Sequence, residues 1–188
     1  YDYIYYPAQF WPHKNHVYIL DGLRLLEHHY GIKLNVIFSG ADYGNEDHVK
    51  KHAHLLGLED RVIFTGFVDL DVMPQLYKQS VAMVMPTYFG PTNLPPLEAF
   101  QLGVPVLYSD LPGLSDQVGD AALLMDLNNP MSMALHLYHL VTDGQLRNNM
   151  IMAGENRINY LASIDRVSIL MDIINKFSHK RRCWPRSM

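Results

Sequence analysis

The chain has 188 residues, enough for one large domain or two small ones. An apolar share of 48% supplies a core, 18% charged residues argues against disorder, and a net charge of -4 gives no global sign of nucleic-acid binding. No apolar run approaches the ~20 residues of a membrane-spanning helix, and the single cysteine, Cys183, rules out a disulfide within the chain and fits a reducing compartment.

The opening YDYIYY reads as a strand already under way, with no signal peptide, so the chain is expected to be a piece of a longer protein. Residues 3–6 are β-rich and Pro7 ends the run, because proline cannot donate to a ladder. The loop 8–14, AQFWPHK, follows. Asn15 is a good N-cap for a helix in which Val17, Leu20, Leu23, Leu25 and Leu26 form an apolar stripe, closed by Gly31. Residues 34–38 predict a buried strand ending at Ser39 and Gly40, where glycine lets another backbone or a ligand come close. A helix at 46–56 stops at Gly57, RVIFT at 61–65 is a third strand, and 73–79 is a short helix. The apolar run 81–85 is a fourth strand, and it leads into PTYFGPTNLPPLEAFQLG at 86–103. There the GPTN turn breaks the strand, and 94–102 has helical spacing with prolines in its first turn, where N–H groups lack partners anyway. Beyond it, 104–108 and 121–125 are strands, and 115–118, 130–141, 145–161 and 165–177 are helices, the last capped by Asp165. The basic residues His179, Lys180, Arg181, Arg182 and Arg186 read as a solvated tail over 179–188, with contact to a membrane surface as the alternative.

Strands alternate with helices, and most strands are continuous apolar runs. That pattern predicts an α/β, Rossmann-like doubly wound parallel sheet of about six strands with helices on both faces, forming one domain over 1–178. In such sheets ligands sit beyond the carboxyl ends of the strands, where strand order switches. The loops 8–14, 39–45 and 87–94 are expected to meet there.

A strand, a tight loop and a helix start collect backbone N–H groups and a helix dipole, which suits a phosphate. Lys14 places a cation near the same edge and, with the amides of 90–94, is suited to hold a diphosphate. Glu98, about one turn into its helix, is placed to accept hydrogen bonds from ribose hydroxyls. Gln9 and Asn93 add neutral hydrogen-bonding groups. Plainer readings stand beside these: an exposed lysine, a surface glutamate, turn chemistry at Asn93. Lysine at a helix start opposes the dipole, however, which favours a functional reason. His48 and His52 have ligand spacing but lack a third ligand or the glutamate of H-E-x-x-H, so they are expected on the surface, as are His28, His29 and His54. No G-x-S-x-G, P-loop or paired-cysteine motif supports a nucleophilic enzyme.

The residues over 3–161 resemble the C-terminal, donor-binding half of a GT-B fold glycosyltransferase of family 4, the glycosyl transferases group 1. That family carries R-x4-K after its first strand, E-G-F-G-L-P-P-L-E before a helix, a G-x-P-V strand, and a loop like L-P-G-L-x-E-x-V-G-D-A-A. The corresponding stretches here are 9–14, 90–98, 103–106 and 111–122. The resemblance implies that Lys14 binds the donor diphosphate, Glu98 the ribose, and Leu94 with its preceding turn backbone contacts. The chain departs from the pattern twice: Gln9 stands at the arginine position, and Gly90 at that of the first glutamate. FGPTN resembles a subgroup in which Thr92 and Asn93 supply polar contacts.

The resemblance further implies a retaining transferase that moves a sugar, mannose or another hexose, from a nucleotide-sugar donor to a glycan or polysaccharide acceptor. It implies no cofactor and no metal. The acceptor half lies N-terminal and is missing, so this piece alone is expected to be inactive. The resemblance also fits a cytoplasmic protein, at the inner face of the membrane and with no nucleic-acid partner. The alternative is a degenerate, non-catalytic binding or scaffold module that kept the fold; Gly90 and Gln9 favour it, while Lys14, Glu98 and the intact LPPLEA block oppose it. Nucleotide-sugar epimerisation shares the architecture but lacks motif support.

Overall fold

The computed structural model describes residues 2–90 and 93–182. Six strands, β1 (Tyr3–Pro7), β2 (Asn35–Ser39), β3 (Val62–Phe64), β4 (Met83–Met85), β5 (Val106–Ser109) and β6 (Leu123–Met125), form one parallel sheet in the order β3-β2-β1-β4-β5-β6. The connecting helices are α1 (His16–Tyr30), α2 (Glu46–Leu55), α3 (Met73–Lys78), α4 (Pro95–Gln101) and α5 (Leu114–Val118), followed by α6 (Pro130–Thr142), α7 (Gly144–Ser163) and α8 (Arg166–Arg182). Helices of the unit that holds the sheet, Tyr1–Ile158, lie on both of its sides, the expected Rossmann-like arrangement.

The core follows from the apolar runs. Ile4, Tyr5 and Tyr6 of β1, all of β4 and all of β5 are buried on both sheet faces, which only a central strand covered by two helical layers permits. The edge strand β3 leaves Ile63 48% exposed. β1 pairs with β2 through five residues and with β4 at Tyr5 and Met83. The chain runs outward from β1 to β3, then returns to β1's other side at β4. The loops after β1 and β4 therefore part and leave a crevice, the switch point at which open α/β sheets bind ligands.

Several local expectations are corrected. Asn15 occupies the N-cap position of α1 but is left-handed, with φ 56° and ψ 43°, and its side chain makes no capping bond. A short 3₁₀ turn, Pro12–Lys14, feeds the helix instead. The strand expected at 81–85 begins at Met83, and that expected at 104–108 runs Val106–Ser109. The helix expected at 94–102 is shorter, Pro95–Gln101. The chain divides into two compact units, Tyr1–Ile158 and Asn159–Met188, and α8 is helical through Arg182. Asp165 does cap that helix: its Oδ1 accepts from the Ser168 N–H at 3.0 Å and its Oδ2 from the Ser168 hydroxyl at 2.7 Å. No described helix is long and apolar enough to cross a membrane.

Candidate functional site

The loop after β1 organises the crevice. The Phe10 N–H donates to the Ala41 carbonyl at 3.0 Å, and Trp11 stacks on Tyr43 with ring centroids 4.3 Å apart, joining the loops after β1 and β2. The Tyr88 N–H donates to the His13 carbonyl at 2.9 Å and joins the loop after β4. Gly40 performs the close approach read from its place at the strand end: with φ 157°, a Cβ there would run into the Ala8 carbonyl oxygen.

Between these loops lies an open cavity of about 470 Å³, whose lining includes Gln9, Lys14, Asn93, Leu94 and Glu98. Five of the seven expected site residues thus share one space. Gly90 lies at its margin, borders a second depression with Tyr88 and Leu111, and takes no part in this lining. Thr92 lies outside the described residues.

Lys14 ends the 3₁₀ turn and is partly buried, and burial draws its pKa below the ordinary lysine value. Its Nζ donates to Asn93 Oδ1 at 3.3 Å, a neutral partner. Among the described residues no carboxylate pairs with it. A partly desolvated ammonium with no counter-charge is costly in isolation, and an anionic ligand would offset that cost.

Asn93 is the hub of the loop before α4 and is only 5% exposed. Its Nδ2 donates to the Tyr108 hydroxyl at 2.6 Å and to the Gly90 carbonyl at 3.2 Å. Gln117 Nε2 donates to the Asn93 carbonyl at 2.5 Å, and Gln117 Oε1 accepts from the Asn93 N–H at 3.4 Å. β5 and α5 thereby fix the loop.

That network engages one amide of the expected cradle. The Asn93 N–H is engaged, and Pro91, Pro95 and Pro96 carry no N–H. The Leu97 and Glu98 N–H groups both donate to the Leu94 carbonyl, at 2.9 and 3.0 Å. Gln9 supplies no charge in the arginine's place, and its Oε1 accepts from Trp11 Nε1 at 3.1 Å.

Glu98 stands on the first turn of α4 and faces the same cavity. The Tyr77 hydroxyl donates to its Oε2 at 2.7 Å. Tyr77, Tyr108 and Gln117 are site residues that sequence reasoning missed. Tyr77 precedes Glu98 by 21 positions and sits on another helix, so no spacing rule links them.

The histidines hold no shared centre. His52 Nε2 lies 2.7 Å from Asp21 Oδ1, His48, His28, His29 and His54 are exposed, and no three His, Cys, Asp or Glu among the described residues come together.

Comparison with known proteins agrees with this geometry. The family model described as glycosyl transferases group 1 matches residues 1–157. The chain is 29% identical over 136 residues to the O-antigen chain mannosyltransferase B of Escherichia coli, covering 72% of this chain and 36% of that protein. It is 32% identical over 138 residues to a D-inositol 3-phosphate glycosyltransferase of Salinispora tropica, covering 72% and 28%. The chain thus spans about a third of the length of these curated relatives. Anabaena HepE, solved in complex with UDP and glucose, superposes with a TM-score of 0.71 at 22% identity, covering 95% of this chain and 48% of that one. TarM superposes with a TM-score of 0.77 at 17% identity, covering 93% and 34%. A sheet ordered 3-2-1-4-5-6, a cation and a carboxylate at its switch point, and a family match over most of the length place this chain in the glycosyl transferases group 1 family.

Proposed function

We propose that this chain is the donor-binding half of a retaining glycosyltransferase that moves a hexose, such as mannose, from a nucleoside diphosphate sugar to a glycan or polysaccharide acceptor. The observation that carries the reading is Lys14, partly buried and without a counter-charge among the described residues, facing one cavity with Glu98. Lys14 takes the diphosphate and Glu98 the ribose, while Gln9, Asn93 and Leu94 line the space; Gly90 and Thr92 are assigned to the donor site from the sequence. Negative charge grows on the diphosphate as the sugar leaves, and a cation already fixed in place stabilises it without reorganisation. The reading assigns this role to Lys14 and calls on no metal ion.

The relatives support the substrate class: one is named a mannosyltransferase, and HepE was solved with UDP and glucose. The acceptor half is taken to be an N-terminal domain of the same protein. The 188-residue chain alone is expected to bind nucleotide weakly and to transfer no sugar. A cytoplasmic setting at the inner face of a membrane fits, with the basic end of α8 as a peripheral contact.

The test is an NMR titration of the chain with UDP, GDP and ADP, repeated on Lys14→Ala and Glu98→Ala. Saturable shifts around the cavity, weakened in both variants, are expected. A well-dispersed spectrum that no nucleotide perturbs would favour the degenerate module, the reading that Gly90 and Gln9 support.

A further inference from the structure

Tyr77 lies in the last turn of α3 and is 1% exposed. Its ring stands edge-on to Tyr5 of β1, with centroids 4.9 Å apart and planes at 87°. The Tyr5 hydroxyl is itself tied to Ser39 Oγ at 2.6 Å. The ring is therefore seated on the centre of the sheet, and only its hydroxyl reaches out of the core. That hydroxyl meets Glu98 Oε2 at 2.7 Å, with the Pro95 carbonyl farther off at 3.5 Å. Burial and the neighbouring Glu98 push the Tyr77 pKa well above the ordinary tyrosine value, so the group stays a donor.

A glutamate at a cavity wall has three side-chain torsions to restrain before it can receive a ligand. Here one oxygen is held by a group anchored in the core. Among the described residues the other, Oε1, takes no hydrogen bond. The carboxylate is thus presented with one oxygen free and its plane set.

We propose that Tyr77 is a positioning residue for the ribose: by holding Glu98 Oε2 it fixes Oε1 to accept from the vicinal 2′- and 3′-hydroxyls of a nucleoside diphosphate, and so sets the preference for ribose over deoxyribose. The inference rests on the donor-site reading of Glu98. It adds a residue that does not line the cavity and acts on ligand only through that carboxylate. The arrangement is preorganisation: the cost of ordering the side chain is met during folding and is not charged against binding.

The experiment uses the nucleoside diphosphate, among UDP, GDP and ADP, that the wild-type chain binds tightest, its 2′,3′-dideoxy counterpart, and inorganic pyrophosphate. Each is titrated into wild type, Tyr77→Phe and Glu98→Ala by calorimetry. In Tyr77→Phe the ribonucleotide affinity is expected to fall by about 5- to 10-fold. Dideoxynucleotide and pyrophosphate affinities are expected to hold, so that the ribose preference narrows toward that of Glu98→Ala. A merely structural role for Tyr77 would weaken all three ligands together and leave the preference unchanged, which would overturn the proposal.

Failure of the underlying reading looks different. A wild type that binds no nucleotide, or a Glu98→Ala variant that keeps the full ribose preference, would remove the donor-site role of Glu98 and the proposal with it. Should Tyr77→Phe fail to fold, the wild-type Tyr77 hydroxyl proton gives the answer by NMR. It is expected to be protected, lost in Glu98→Ala, and moved by the ribonucleotide but not by the dideoxynucleotide. Equal movement with both would overturn the proposal.

Discussion

The Asn93 side chain fills the space that a Cβ at residue 90 would need: its Oδ1 lies 2.5 Å and its Nδ2 2.7 Å from that point. Gly90 also holds φ 148°, outside the range of most L-residues. The missing glutamate and the buried asparagine are thus one feature. Restoring the family residue alone, as Gly90→Glu, is expected to lower stability by about 1–3 kcal/mol through strain and the displaced Asn93. The double variant Gly90→Glu/Asn93→Gly is expected to recover part of the loss, since the clash is gone although the backbone strain and the lost bond to Tyr108 remain. Urea unfolding midpoints of wild type and the two variants measure this.

On the proposed donor-site role, Lys14 should set the pH dependence of binding. Its pKa lies below the ordinary lysine value of 10.5 because burial disfavours the charged form. A diphosphate prefers the ammonium, so affinity should be full at neutral pH and decline as pH rises through the lowered pKa, before 10.5 is reached. In Lys14→Met the affinity should be weaker by about 1.5–3 kcal/mol at neutral pH, with no alkaline decline from this group. Calorimetric titration from neutral to alkaline pH separates the two curves. Stability itself has the opposite sign there: the unfolded lysine binds more protons, so folding is favoured as pH rises between the two pKa values.

His16 should make the fold acid-sensitive. It is fully buried, stacked on Phe10 with centroids 4.4 Å apart, and its Nε2 lies 3.4 Å from the Ala8 carbonyl. Its Nδ1 is buried and has no partner among the described residues, and burial lowers its pKa from 6.5 to about 3. Between those values the unfolded state binds the proton and the folded state does not. Its contribution is therefore fully present above 6.5 and falls as pH drops toward about 3, at about 1.4 kcal/mol per pH unit. Chemical denaturation of wild type and His16→Phe at neutral and mildly acid pH should show a shallower acid loss in the variant.

Gly154 of α7 seats the helix that carries Glu98. A Cβ at Gly154 would stand 2.8 Å from Cδ1 of the buried Phe100 of α4. Gly154→Val is expected to cost about 1–3 kcal/mol by overpacking and to weaken nucleotide binding by shifting α4. Gly144→Ala, at a position with nothing within 4 Å of the added carbon, is the control.

Much of the fold was legible because the central strands must be apolar on both faces. Runs such as IYY, NVIF and VLY can be buried in no other layered α/β arrangement, and Gly31 stops α1 in the left-handed conformation, φ 69°, that its place after the last apolar turn required. Local chemistry was less legible where tertiary contacts decide. Asn15 looks like a cap by type, yet the preceding 3₁₀ turn leaves it left-handed, with its Nδ2 buried and without a partner among the described residues. Lys14 and Glu98 could be named from their places after strands, because the switch point gathers such loops. The hub made by Asn93, Tyr108 and Gln117, and the clamp of Tyr77 on Glu98, join residues 9 to 24 positions apart on different elements. Periodicity carries no record of such pairs.

The most direct measurement is a crystal structure of this chain with the tightest-binding nucleoside diphosphate. The account expects diphosphate oxygens within hydrogen-bonding distance of Lys14 Nζ, ribose hydroxyls on Glu98 Oε1, and the Tyr77–Glu98 bond retained at 2.7 Å. A nucleotide seated elsewhere on the surface, or one whose ribose points away from Glu98 while its diphosphate avoids Lys14, would contradict it.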